Sequence, residues 1–291
     1  MMRSVQKILS HALCLAAAAL FAASAGVNAQ TTSQPATDPP ASATPSPYGA
    51  RVDNGFKIPE VAPEYLANGQ AHIEVPYYGT EKPGTIVVDI FARKLYYILP
   101  DHKAIRYAVA VGRAGLAFKG TGVIERKVKW PSWRPTQNML KTRPDLYAPY
   151  AKGLPGGVIN PLGARAMYLY KNGQDTLFRI HGTIENASIG HATSAGCIRL
   201  FDQDAIDLFK RVKMGTVVHV RTLAESLAME GPYMNDAWGR AVPDTPQNRA
   251  KKVRDEPIVA AQKAARAAAI KADPSLAASE SESLDPPPGV N

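Results

Sequence analysis

From Gly84 onward the chain is a succession of short β-branched or aromatic runs, TIVVDI, KLYYIL, IRYAVAVG and TGVIERKV. They are separated by turn residues such as Pro100-Asp101-His102 and Arg113-Ala114-Gly115. Runs of that length and composition suit pleated, half-buried strands. Two more, AMYLY and TLFRIHG, flank Lys171-Asn172-Gly173-Gln174-Asp175, where Asn172-Gly173 is a strong signal for a tight hairpin. One helix is marked between Asp202 and Gly215: Asp202 can cap it, Ala205, Ile206, Phe209 and Val212 form its apolar stripe, and Lys210, Arg211 and Lys213 sit at its negative end. TVVHVR then reads as a closing strand, with His219 a satisfied structural histidine. The pattern predicts a domain that is mainly β with short helices and excludes a doubly wound parallel fold.

The flanks read differently. Arg3 and Lys7, the apolar run Leu13 to Ala23 and the small-residue site Val27-Asn28-Ala29 predict a signal peptide over 1–29. The run is short for a bilayer span, so no membrane span is expected after cleavage, and the chain is expected to be exported to the periplasm or cell envelope. Residues 30–74 are rich in Pro, Ser, Thr and Ala and predict a solvated linker. A catalytic domain is expected over 75–221. The stretch 222–291 is polar and Ala-rich, with few large apolar residues to bury, and predicts a mobile tail.

Cleavage removes Cys14 and leaves Cys197 as the single cysteine, which cannot form an intramolecular disulfide. It also leaves 32 basic against 25 acidic residues, a net charge of +7. No dense basic stripe is interleaved with aromatics, which argues against nucleic acid as a partner and favours an anionic envelope polymer.

Between Trp130 and Gly163 lies WPSWRPTQNMLKTRPDLYAPYAKGLPGGVINPLG, a long stretch with no clean period. Insertions of this length are usually functional or disordered, and the aromatics speak against disorder, so it reads as a cap over a site. An ordinary packed loop is the alternative.

Chemistry concentrates in HGTIENASIGHATSAGCIRL, residues 181–200. Acyl transfer through cysteine needs a thiolate, a proton acceptor and donors aimed at the oxyanion. Cys197 follows Gly196, which permits a tight turn, and His181 ends a strand beside Gly182. Zinc on His181, His191 and Cys197 lacks the paired close spacing of structural sites, so neither metal nor cofactor is expected. The order also opposes a papain-like protease, which places Cys before His.

The string His181-Gly182-Thr183, then Ser194, Gly196, Cys197, Ile198, Arg199 and Leu200, resembles the signature of the L,D-transpeptidase family, the YkuD-type catalytic domain of bacterial cell walls. The likeness runs from about Gly84 to Arg221, with Ala195 standing where many members carry histidine. The resemblance implies a mixed β-sandwich with an irregular cap loop. It implies Cys197 as nucleophile, His181 as base, Gly182 and neighbouring carbonyls orienting the ring, and amides of Gly196 and Cys197 as oxyanion donors. Arg199, Ser194, His191 and Thr183 would bind substrate or shape the site.

The implied reaction is thiolate attack on the diaminopimelate carbonyl of a peptidoglycan stem, loss of the terminal D-alanine, and transfer to an amine of a neighbouring stem, an envelope protein or a D-amino acid. Water as acceptor would make the enzyme a hydrolase or carboxypeptidase, and a wall-binding scaffold without activity is the non-enzymatic alternative.

Overall fold

The computed structural model describes residues 46–67, 69–113, 118–194 and 196–273. The expected signal peptide, the first part of the linker, Ala195 and the end of the chain lie outside these residues.

The strands form where the short apolar runs stand. A small hairpin, β1 (Arg51–Asp53) and β2 (Phe56–Ile58), precedes a helical turn α1 (Pro63–Leu66). Strands β3 (Ile73–Pro76), β4 (Ile86–Asp89), β5 (Lys94–Leu99), β6 (Lys103–Ala108) and β7 (Gly120–Lys129) follow. Next come two helical turns, α2 (Gln137–Thr142) and α3 (Pro144–Tyr147), then β8 (Arg165–Lys171), β9 (Gln174–His181) and β10 (Ile198–Arg199). The chain continues through α4 (Asp202–Arg211), β11 (Val217–Val220), α5 (Leu223–Glu230), the hairpin β12 (Tyr233–Asn235) and β13 (Ala241–Pro243), and α6 (Pro246–Ala272). The chain is mainly β with a few helices, as the sequence predicts.

Nine strands make one mixed sheet in the order β10-β9-β8-β7-β11-β4-β5-β6-β3. The pairs β9–β10 and β4–β11 are parallel and the others antiparallel. The turn between β8 and β9 has φ of 52° at Asn172 and 73° at Gly173, the two positive values that an Asn-Gly hairpin turn requires. The extension of β6 pairs with the opposite end of the sheet: Ala110 bonds Arg199 in both directions, at 3.0 and 2.9 Å, and Ser194 donates to Val111 at 3.0 Å. The sheet therefore curls, and residues from both of its halves share one core with α4: Ile86, Leu95, Tyr107, Ile124, Met167, Leu169, Ile180 and Leu208 are all buried there.

The termini of the domain extend past the boundaries that composition suggests. Tyr48 and Val61 pack with Ala110, Ile189 and Phe201, and Ile58 packs with Trp130, Ala164 and Ile206, so the end of the expected linker is part of the core. The expected tail folds as well. Arg221 bonds Asp89 at 3.2 Å and Glu230 at 2.9 Å, fixing α5 to the sheet. Trp238 and Val259 are buried, which docks the β12–β13 hairpin and the first half of α6. Composition undercounts these contacts because each uses one or two large side chains in an otherwise polar stretch.

The stretch expected to form a cap is only partly irregular. Thr136 caps α2 by accepting from Met139 N, and Trp133 pairs by backbone with Leu154 and packs against Tyr147 and Tyr150 at ring distances of 6.3 and 6.2 Å.

Candidate functional site

Register sets His181 and Cys197 on one face of neighbouring strands. In the parallel pair β9–β10, Ile180 stands opposite Ile198 and His181 opposite Arg199, which sets Cys197 level with Arg179. Ile180 and Ile198 point into the core, so by the two-residue period of a strand Arg179, His181, Cys197 and Arg199 share the opposite face. The fifteen residues between His181 and Cys197 fold back through a turn at Gly190, which has a φ of 87°.

The His181 ring is buried, and its Nδ1 lies 2.5 Å from the Gly182 carbonyl. A carbonyl only accepts, so Nδ1 carries the proton and Nε2 keeps its lone pair. Burial pushes the imidazole pKa down to about 3 and the positive charge of Arg199 adds to this, while the carbonyls of Gly182 and Leu162 pull the other way. The Gly182 carbonyl thus holds the ring through Nδ1.

Cys197 is the free thiol of the site. Burial raises its pKa, against the lowering effect of the Arg179 backbone N–H and the charges of Arg179 and Arg199. Resting thiol and imidazole are both neutral at pH 7.

The turn into the nucleophile is held from several sides. Ser194 Oγ donates to Cys197 O at 2.6 Å and accepts from Gly196 N at 3.1 Å, and Gly196 has a φ of 136°, open to glycine. One expectation changes. The Gly196 amide, read as an oxyanion donor, is engaged by Ser194 in this conformation. Ser194 itself is buried and braces the turn.

Arg199 donates to Glu185 at 2.6 Å, which makes it a brace between β10 and the returning loop. Thr183 is buried and accepts from Glu185 N at 3.0 Å, so it shapes the loop that presents this partner and does not face an open cleft. His191 lies apart, buried against Gly239, its pKa pushed down to about 4 by burial and by the charges of Arg240 and Arg93. Its carbonyl accepts from Val111 N and Arg93 donates to the neighbouring Gly190 carbonyl at 2.7 Å, so the C-terminal hairpin and the sheet clasp this loop together.

Sequence reasoning misses Glu185, Arg179 and the second role of Asp202. Asp202 does not cap α4 through its side chain; it opens the helix and turns its carboxyl back to accept from Ala164 N at 2.7 Å. A methyl at Gly163 or Gly182 would overlap its Oδ1, so both glycines permit the close approach. Burial raises the Asp202 pKa to about 6. A glycine directly after the histidine is the available sequence signal that something packs there.

Among the described residues no group of three or more His, Cys, Asp or Glu side chains is arranged to hold a metal ion. No helix among them is long and apolar enough to cross a membrane.

The family model for the YkuD L,D-transpeptidase catalytic domain matches residues 83–220. The "Probable L,D-transpeptidase ErfK/SrfK" of Escherichia coli (strain K12) is 32% identical over 184 residues, covering 60% of this chain and 56% of that protein. The chain thus spans little more than half the length of that relative. The "Putative L,D-transpeptidase in ATP synthase subunits region ORF 5" of Fuscovulum blasticum is 32% identical over 182 residues, 60% of this chain and 91% of that protein. A Brucella melitensis crystal structure described as a probable carnitine operon oxidoreductase is 41% identical, covering 55% of this chain and 98% of that one; its TM-score of 0.38 gives the likeness no functional weight. With nine-tenths of the Fuscovulum blasticum protein matched, the chain belongs to the L,D-transpeptidase family that carries the YkuD-type catalytic domain.

Proposed function

We propose that this chain is an exported cysteine acyltransferase that works on peptidoglycan stem peptides in the periplasm or cell envelope. The observation that carries this reading is the parallel register of β9 and β10, which puts the Cys197 thiol and the His181 imidazole on one face with Nδ1 already protonated.

The thiol and imidazole begin neutral. As sulfur attacks the diaminopimelate carbonyl, His181 Nε2 takes the thiol proton, and the carbonyls beside the ring steady the imidazolium in place of a triad carboxylate. The imidazolium then returns the proton to the nitrogen of the departing D-alanine, leaving a thioester. An amine attacks the thioester, His181 accepts its proton, and the sulfur leaves as thiol. The acceptor is an amine of a neighbouring stem or of an envelope protein, and a non-catalytic wall-binding role is the reading that the test below opposes.

Intact-protein mass spectrometry after incubation with stem tetrapeptide or an acylating carbapenem is the test. The expected result is one acyl adduct, located on Cys197 and absent in Cys197→Ala. An unmodified wild-type chain with both reagents would overturn the reading. The masses of released muropeptides then identify the acceptor.

A further inference from the structure

The level of the sheet that ends at Cys197 holds a second set of groups. Arg126 on β7 pairs with Tyr168 on β8, and Tyr168 pairs with Arg179 on β9. The register of β9 with β10 continues the same line to Cys197. Met167 and Leu169 point into the core, so Tyr168 faces the other way, on the side of the thiol. Three strands and the residue that leads into β10 thus contribute Arg126, Tyr168, Arg179 and Cys197 to one rung on one face.

The middle of the rung is a buried ring between two cations. The guanidinium of Arg179 lies 4.3 Å from the Tyr168 centroid and that of Arg126 lies 4.6 Å from it. The two arginines differ in their charge partners. Asp175 neutralises Arg179 through two contacts, at 2.7 and 2.9 Å. Arg126 is exposed, and among the described residues it has no carboxylate partner. A guanidinium stacked on an aromatic ring has part of its freedom removed in advance, and its planar fork is suited to a carboxylate.

Scale decides what such a group can reach. With strands about 4.8 Å apart, Tyr168 stands roughly 10 Å and Arg126 roughly 14 Å from Cys197 along the rung. An extended peptide advances about 3.3 to 3.6 Å per residue, so the Arg126 backbone lies about four residues from a carbonyl at the thiol. Because the rung begins at the nucleophile, the chain laid along it is the acyl donor.

We propose that Arg126, steadied by Tyr168, is a specificity-determining residue that holds a carboxylate of the anionic donor peptide across β7, β8 and β9. The proposal rests on the acyl-transfer reading above and assigns the donor a direction, away from the thiol and across the strands. Arg179, paired with Asp175, is the positioning residue that supports the ring from β9.

The test separates binding from turnover. Titration calorimetry on the full chain carrying Cys197→Ala would compare a stem tetrapeptide with free carboxylates and the same peptide with its carboxylates converted to carboxamides. The free peptide is expected to lose about tenfold in affinity when Arg126→Gln is added, the scale of one charge-assisted hydrogen bond. The amidated peptide is expected to bind weakly to both proteins and not to sense the substitution. Arg126→Lys should recover part of the loss, since it keeps the charge without the fork. Equal affinities in the presence and absence of Arg126→Gln, equal losses for both peptides, or no binding of either peptide would each overturn the proposal. Wild-type acyl-enzyme formation measured in parallel keeps the two claims distinct. Adduct on Cys197 with no effect at Arg126 removes the rung alone, and no adduct removes the acyl-transfer reading.

Discussion

Asp202 carries its carboxyl into a site lined by Gly163, Gly182 and the Ala164 amide, and burial there raises its pKa to about 6. The raised value means that the folded state holds the neutral acid more readily than the unfolded chain does. Its charged form therefore costs stability progressively as pH rises from about 4 to 6. Asp202→Asn keeps an acceptor for Ala164 without the charge. It should be more stable than the wild type by about 2 to 3 kcal/mol at pH 8, with the gap closing toward pH 4.5, in urea unfolding. The thiol gives a second prediction at this scale. Burial raises the Cys197 pKa and lowers that of His181, so no thiolate–imidazolium pair stands ready at rest. Alkylation by iodoacetamide should rise steeply through pH 9; a plateau between pH 5 and 7 would contradict the neutral pair. His181, Gly182 and Cys197 were legible because their chemistry and spacing are local. Glu185 was not, since nothing in its own surroundings indicates that Arg199, fourteen residues on, will take it as partner.

Helix α5 belongs to the domain through Glu230, which accepts from Lys94 at 2.9 Å, Tyr96 at 2.6 Å and Arg221 at 2.9 Å. Removing that carboxylate leaves Arg221 buried with less compensation. Glu230→Ala should cost about 3 to 5 kcal/mol in denaturant unfolding, far more than a tail residue would. The cap behaves differently: Trp133 is half-buried and its ring contacts, Tyr147 and Tyr150, belong to the cap itself. Trp133→Ala should loosen the cap and raise KM while lowering stability by less than the 3 to 5 kcal/mol of a core aromatic truncation, as thermal melting would report. The strands were readable from runs of five to eight residues because pleating is a local pattern. The docking of the N-terminal segment was not, because it rests on partners far along the chain: His72 meets Asp204 at 2.6 Å across 132 positions, and Gln203 donates to the Pro59 carbonyl at 2.8 Å across 144. A Pro-rich composition is blind to a single Tyr48 that enters the core.

The whole molecule should weaken in acid for a reason seated in two side chains. His181 and His191 are held neutral in the fold, with pKa values pushed down to about 3 and about 4, whereas the unfolded chain protonates them near 6.5. Each therefore withdraws up to about 1.4 kcal/mol per pH unit as pH falls from 6.5 toward 4, and Asp202 works in the opposite sense between about 6 and 4. His191→Gln should flatten the stability profile across that window by about one histidine's slope, read from urea midpoints at successive pH values. The curl of the sheet has a further consequence. Because Ala110 binds Arg199 on the far side of β10, the nucleophile's strand presents no free hydrogen-bonding edge among the described residues, where the large sheet ends openly at β3. That edge is four residues long, holds Glu74 paired with Lys103 and finishes on Pro76, which has no N–H to offer. A second copy of the chain finds almost no backbone to extend, so this sheet is a poor template for the strand-by-strand polymerisation that crowded β proteins risk.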